Sequence, residues 1–261
     1  MTNPSQLDSR FLPPKTWETH YFDNPETSHR VRYSFLPADN KLKANLVILP
    51  GLSEFGEKYI ETAIFFAAKG FDVYVIDWAY QGMASRYNKI PHKRHSDGYE
   101  ADISDLDFLI HRKITNDKPF FMLAHSMGGN IGLRYLIDKP EVFKAASISA
   151  PLLGIQDLKS FTALISFILK LLSPFHHSYV PGGHDWKESN RSSDGKDIFS
   201  SDPVRDQIHN YWSLHNPDLQ VGSPTLKWLY ESLKSIHFVK SGYDHIQIPV
   251  LIALAGKEKL V

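Results

Sequence analysis

FMLAHSMGGN, from Phe121 to Asn130, runs an apolar stretch straight into His125-Ser126 and then Met127-Gly128-Gly129, with no polar spacer. A chain leaving a strand for a surface loop ordinarily uses Asn, Asp, Pro or several polar residues. A lone serine among small residues, with a helical pattern following at once, predicts a sharp strand–turn–helix junction instead. Such junctions are the units from which parallel α/β sheets are wound.

The flanking sequence carries the same alternation. Val31, Tyr33 and Phe35 alternate with polar neighbours, as in a half-buried strand. ANLVIL (Ala44–Leu49), FDVYVI (Phe71–Ile76), FFML (Phe120–Leu123), ASIS (Ala146–Ser149) and VLIAL (Val250–Leu254) are mostly apolar, which suits strands covered on both faces. Helices are predicted at Tyr59–Lys69, closed by Gly70, at about Tyr99–Ile114, and at Asn130–Asp138, closed by Lys139-Pro140. The expected fold is α/β: a doubly wound, mostly parallel sheet whose strand carboxyl ends gather the ligand-binding residues.

Between Pro151 and Ile246 the alternation stops. Helical patterns at Leu158–Leu172, about Pro203–His215 and Pro224–Ile236 take its place, the last with Ser223 as N-cap and Pro224 in its first turn. VPGGHDWKESNRSSDG between them reads as loop. The expected organisation is a core over 1–150, a helical cap insertion over 151–246, and a return to the core over 247–261.

Composition narrows the function. Lys plus Arg and Asp plus Glu are 29 each, so the formal net charge is zero and no clustered basic excess points to nucleic acid. Without cysteine there is no disulfide, thiolate metal site or cysteine nucleophile. The histidines lack metal-ligand spacing, and no metal, nucleotide or organic cofactor is expected. MTNPSQLDSRFLPPK at the start has no apolar core of a secretion signal, and FTALISFIL (Phe161–Leu169) is too short to cross a bilayer. A soluble, cytoplasmic protein is expected, with peripheral membrane contact open to it.

The elbow carries the chemistry. In G-x-S-x-G turns the residues two away from the serine must be small; Gly128 satisfies this, and Ala124 stands where the first glycine is usual. The helix beginning beyond Ser126 turns free N–H groups toward developing negative charge, which makes Met127 N–H one candidate oxyanion donor. VILPGLSEFGEKY supplies a strand and a glycine-led loop, and Leu52 N–H is the second candidate. His125 supports the elbow, its side chain pointing away from that of Ser126. A tight turn with an incidental serine is the bland alternative.

Taken in order, these segments resemble the α/β-hydrolases of the bacterial lysophospholipase and monoacylglycerol lipase group, often labelled serine aminopeptidase-like. PGLSEFGEKYIET is similar to that family's oxyanion loop, with Pro50 where many members carry His; FDVYVIDWAYQGMASR is similar to its D-x-R-G-x-G segment, with Ala79 and Tyr80 replacing Arg-Gly. AHSMGGNIGLRYL matches the elbow, SAPLLGI the strand leading into the cap, and NPDLQVGSPTLKWLYESL (Asn216–Leu233) a later cap segment. The resemblance implies a serine hydrolase that cleaves carboxylic esters of single-acyl lipids through an acyl-serine intermediate. Monoacylglycerol or another small ester is the alternative substrate.

It also implies an acid after the strand PVLIALAGKEK, where Glu258 falls, and a catalytic histidine beyond it. No histidine follows Glu258 in these 261 residues. His95 is expected to steady the loop after Asp77, the histidines over 151–246 to be polar filler, and His245 to lie at a strand's amino end. The expectation is therefore an enzyme lacking its last strand and helix, poorly expressed for want of cover over VLIAL; a catalytically impaired remnant is the rival. FTALISFILKLL is read as lining an acyl groove, resting on a membrane, or burying against the core. RYNKIPHKRH is either a phosphate-facing or a solvated loop.

Overall fold

The structure, a computed structural model, describes residues 7–87, 90–155, 162–188, 200 and 202–256. In chain order the main elements are β1 (Glu18–Asn24), β2 (His29–Leu36), β3 (Ala44–Leu49), α1 (Ile60–Ala67), β4 (Phe71–Asp77), α2 (Tyr99–Phe108), β5 (Phe120–His125), α3 (Ser126–Asp138) and β6 (Phe143–Ser149). Then follow α4 (Thr162–Leu171), α5 (Pro203–His215), α6 (Leu226–Gly242) and β7 (Val250–Ala253).

Seven strands form one sheet in the order β1-β2-β4-β3-β5-β6-β7. Strands β1, β2 and β4 pair antiparallel, and every pair from β4 through β3, β5 and β6 to β7 is parallel. Each residue of β3 is buried, because both sheet faces are covered. Leu46 and Ile48 face α1 with Ala63, Ala67, Val73 and Val75. Val47 and Leu49 face the opposite side with Ile103, Ile131 and Leu136 from α2 and α3. Burying a side chain such as Ile48 or Leu49 is worth about 1.5–3 kcal/mol, so the strand's apolar composition fixes it at the sheet's centre.

The helices after Pro151 are not a detached lobe. Trp228, Leu233, Ile236 and Val239 of α6 join the same core cluster as α2 and α3. Ser235 Oγ reaches Asn130 Oδ1 at 2.5 Å, and Tyr99 Oη and Ser232 Oγ share a hydrogen bond of 2.9 Å. A run of backbone bonds adds to this: Gly222 N to His92 O at 2.8 Å, Arg94 N to Ser223 O at 3.3 Å, and Thr225 N to Arg94 O at 3.0 Å.

That run explains why α6 starts later than predicted. Ser223 and Pro224 are drawn into bridging with residues 92–94. The N-cap is Thr225, whose hydroxyl accepts from Trp228 N at 3.3 Å. The second predicted helix ends as an α-helix at Phe108 and closes with one π turn, Leu109–Lys113. Helix α3 starts at Ser126, four residues earlier than predicted. Strand β1 was not anticipated; it forms a hairpin with β2, turned at Ser28 with φ 60°.

At the end of the strand order, β7 pairs with β6 alone among the described residues. Its apolar side chains are left open, with Leu251 66% and Leu254, just beyond the strand, 77% exposed.

Candidate active site

The junction between β5 and α3 has the sharpness the sequence requires. Ser126 sits at φ 49°, in the left-handed region that an L-residue with a Cβ enters at a cost of about 1–3 kcal/mol. Its backbone is held there: Leu152 N donates to Ser126 O at 2.9 Å. Gly128 is demanded by contact, since a Cβ there would lie 2.2 Å from Leu49 O and 2.5 Å from Pro50 O. Ala124 is buried in the β5 ladder opposite Leu49 and Ile148.

The loop after β3 passes directly beside the serine. A Cβ on Gly51 would be 3.2 Å from Ser126 Cβ and 3.1 Å from His125 Cδ2. Leu52, partly buried against the core, follows in that loop, and its N–H makes no hydrogen bond among the described residues. Met127, the other predicted donor, is buried; its Sδ receives Arg94 Nη2 at 3.5 Å and Trp228 Nε1 at 3.4 Å.

Glu54 is the loop's internal anchor. Its Oε2 accepts from Gly51 N at 2.6 Å and Tyr59 Oη at 2.5 Å, while Oε1 pairs with Lys58. Burial alone would push this carboxyl up. The Lys58 ammonium, the nearby His125 and the hydrogen bonds outweigh that and hold it well below the usual carboxylate range. Asp77, at the end of β4, ties the loop's far end: it accepts from Gly56 N at 2.9 Å and Met83 N at 2.8 Å and pairs with Arg32 at 2.6 Å.

The His125 imidazole lies against Ser149 and Glu54. Its Nδ1 lies 3.2 Å from Ser149 O and its Nε2 3.9 Å from Glu54 Oε1. A cavity of about 330 Å³ opens on that side, bounded by His125, Lys58, Tyr59, Thr62, Ser149 and Arg205. His95 is buried and bonds Thr225 Oγ1 at 3.0 Å; burial, with Lys227 nearby, pulls its imidazole down to about 4. Among the described residues no histidine is bonded to Ser126 Oγ. Glu258 lies outside the described residues.

Three site residues escaped the sequence analysis: Gln81, Arg94 and Glu54. Gln81 and Arg94 are polar residues in apparent loop, and nothing local marks them as buried. The likeness of FDVYVIDWAYQGMASR to the family's D-x-R-G-x-G segment was the available signal for Gln81, which falls within it.

A mostly parallel sheet with a strained serine at the carboxyl end of a central strand, beside a glycine-led loop, is the arrangement of an α/β-hydrolase. The chain belongs to the family described as serine aminopeptidase, S33, which matches residues 40–261. It is 29% identical over 220 residues to lysophospholipase L2 of Escherichia coli K12, covering 83% of this chain and 64% of that one. This chain thus spans less than two thirds of that relative's length. It is 26% identical over 222 residues to phospholipase YtpA of Bacillus subtilis 168, covering 84% of this chain and 77% of that one. Among solved structures, a soluble variant of monoglyceride lipase from Saccharomyces cerevisiae superposes with a TM-score of 0.68 at 16% identity, over 100% of this chain and 82% of that one. That likeness speaks for the fold.

Proposed function

We propose that this chain carries the nucleophile and oxyanion hole of a serine ester hydrolase acting on single-acyl lipids, in the manner of a lysophospholipase. The observation that carries the proposal is Ser126 at φ 49° on a strand–helix corner, with the Gly51–Leu52 loop beside it. Ser126 Oγ attacks the ester carbonyl, and the resulting oxyanion is received by the Leu52 and Met127 N–H groups; each such donor is worth roughly 3 kcal/mol of barrier. Collapse expels the glycerol-bearing alcohol and leaves an acyl-serine, which water hydrolyses. The proton of Oγ needs a base. The described histidines do not supply it, and Glu258 is assigned its orienting role by family resemblance alone.

The names of the E. coli and B. subtilis relatives support a phospholipid-derived substrate. Helix α4 supports contact with a lipid surface: Phe167, Ile168 and Leu171, with Leu172 and Phe175 beyond it, are exposed beside Lys170. Among the described residues no helix is long and apolar enough to cross a membrane, so the contact proposed is interfacial.

A fluorophosphonate probe tests the nucleophile. Covalent labelling that disappears in Ser126→Ala is the expected result. A folded chain that takes no label overturns the proposal and favours an impaired remnant. Release of fatty acid from lysophosphatidylcholine, compared with monoacylglycerol, then separates the two substrate classes.

A further inference from the structure

Gln81 has no exposed surface, yet every hydrogen-bonding position of its amide is filled. Nε2 donates to Gly51 O and to Glu54 O, both at 2.8 Å. Oε1 accepts from Ser53 N at 3.0 Å and from Arg94 Nε at 2.8 Å. A primary amide offers two donor hydrogens and two lone pairs, so nothing is left over. Three of the four bonds go to the short loop that contains Leu52. They grip the carbonyl before it, the N–H after it and the carbonyl beyond, and they leave the Leu52 N–H unused.

The fourth bond leads to the other side of the site. Arg94 is itself buried and spreads its guanidinium over Gln81 Oε1, the His95 carbonyl and, at 3.5 Å, Met127 Sδ. One continuous buried chain therefore runs from the loop that carries the Leu52 amide, through Gln81 and Arg94, to the side chain of Met127, whose amide is the other one assigned to the oxyanion hole. Ser53 is held at φ 61°, another left-handed residue that relaxes unless something restrains it. Gln81 is the side chain bonded to its N–H.

We propose that Gln81, backed by Arg94, is the positioning residue that sets the separation of the Leu52 and Met127 N–H groups. This rests on Ser126 being the nucleophile. Oxyanion donors act only where charge develops, so a small displacement of Leu52 N–H weakens transition-state binding and leaves ground-state binding nearly untouched. A glutamine that merely filled space would give the opposite split.

The test uses the chain as it stands, with a short p-nitrophenyl ester, and compares wild type, Ser126→Ala, Gln81→Met and Gln81→Glu. Methionine keeps the length and removes all four bonds. Glutamate keeps the acceptor for Ser53 N and Arg94 but sets a second oxygen against the Gly51 and Glu54 carbonyls. Both Gln81 variants are expected to lower kcat about 10–10²-fold with KM within about 3-fold of wild type. Ser126-dependent turnover with kcat unchanged in the Gln81 variants, or a loss confined to KM, overturns the positioning role alone. Turnover that is absent from wild type, or that survives Ser126→Ala, overturns the functional proposal and this one with it. Should the variants fail to fold, amide hydrogen exchange of the wild type decides. Ser53 N–H protected while Leu52 N–H exchanges freely supports the clamp; equal fast exchange at both overturns it.

Discussion

Leu152 N donates to the carbonyl of Ser126 at 2.9 Å, pinning the elbow to the chain that leaves β6. The left-handed serine is thus held from its own carbonyl side, while the Gly51 loop crowds its Cβ. Glycine adopts positive φ without the Cβ penalty. Ser126→Gly is therefore expected to be more stable than Ser126→Ala by about 0.5–1 kcal/mol, although both lose labelling. Urea denaturation of the two variants measures the difference; a less stable glycine variant would show that the turn carries no strain.

Gly128→Ala should be far more damaging than an ordinary glycine-to-alanine change in a helix. Its Cβ would lie 2.2 Å from Leu49 O, a backbone atom in the sheet's centre that has no rotamer to yield. The helix must move away, at a cost of about 1–3 kcal/mol or more, and it carries Ser126 and Met127 with it. Loss of both stability and probe labelling is expected. Retention of wild-type labelling rate would contradict the close approach of α3 to β3.

His29 makes stability depend on alkaline pH. Burial on its own would pull the imidazole down, but Asp105 at 2.6 Å and Asp97 at 3.0 Å prevail and raise it to about 9. A histidine raised above its unfolded value of 6.5 contributes fully below 6.5 and loses that contribution as pH climbs through about 9. After solvent screening the loss is about 1–2 kcal/mol. Asp102, raised to about 7 by burial against the opposing pull of Arg94, faces the same group and acts mainly at lower pH. Melting temperature followed from about pH 7.5 to 9.5 should fall in wild type and fall less steeply in His29→Gln. Parallel slopes would remove His29 as the cause.

The exposed face of α4 gives a separable membrane test. Phe167 and Leu171 are 60% and 65% exposed and lie outside the elbow and its loop. Phe167→Asp with Leu171→Asp is expected to reduce vesicle binding about tenfold or more, since each buried apolar side chain is worth about 1.5–3 kcal/mol. Hydrolysis of a soluble ester should persist. Unchanged co-sedimentation with phosphatidylglycerol-containing vesicles would remove α4 as the contact.

Among the described residues strand β7 is paired on one side and carries open apolar side chains, a pattern that invites edge-to-edge association. Leu251→Lys is expected to raise the monomeric fraction in light scattering without altering the pairing of β6 to β7. Equal association by wild type and variant would direct attention to another surface.

Legibility in the sequence followed locality. Strand β3 occupies Ala44–Leu49 and α5 Pro203–His215, both as predicted, because each is written in a contiguous pattern with clear boundaries. The elbow was legible for the same reason: Ala124, Ser126 and Gly128 are neighbours. Strand β1 was missed because the face it shares with Phe22 carries the polar residues Glu18, His20 and Asn24, while the exposed face includes Tyr21, so no apolar alternation shows. The N-cap of α6 shifted from Ser223 to Thr225 because a backbone partner at Arg94, remote in sequence, claimed the intervening residues. Gln81 and His29 were illegible on the same ground. Each acquires its meaning only from partners that folding brings to it.

The backbone stitching of residues 222–225 onto 92–94 ties the start of α6 to the segment that carries Arg94. Two turns of chain so distant in sequence thereby share one footing, and Trp228, at 3.4 Å from Met127 Sδ, stands on it next to the elbow helix. A substitution that loosened this seam would accordingly be felt at the nucleophile's own helix, far along the chain from where it was made.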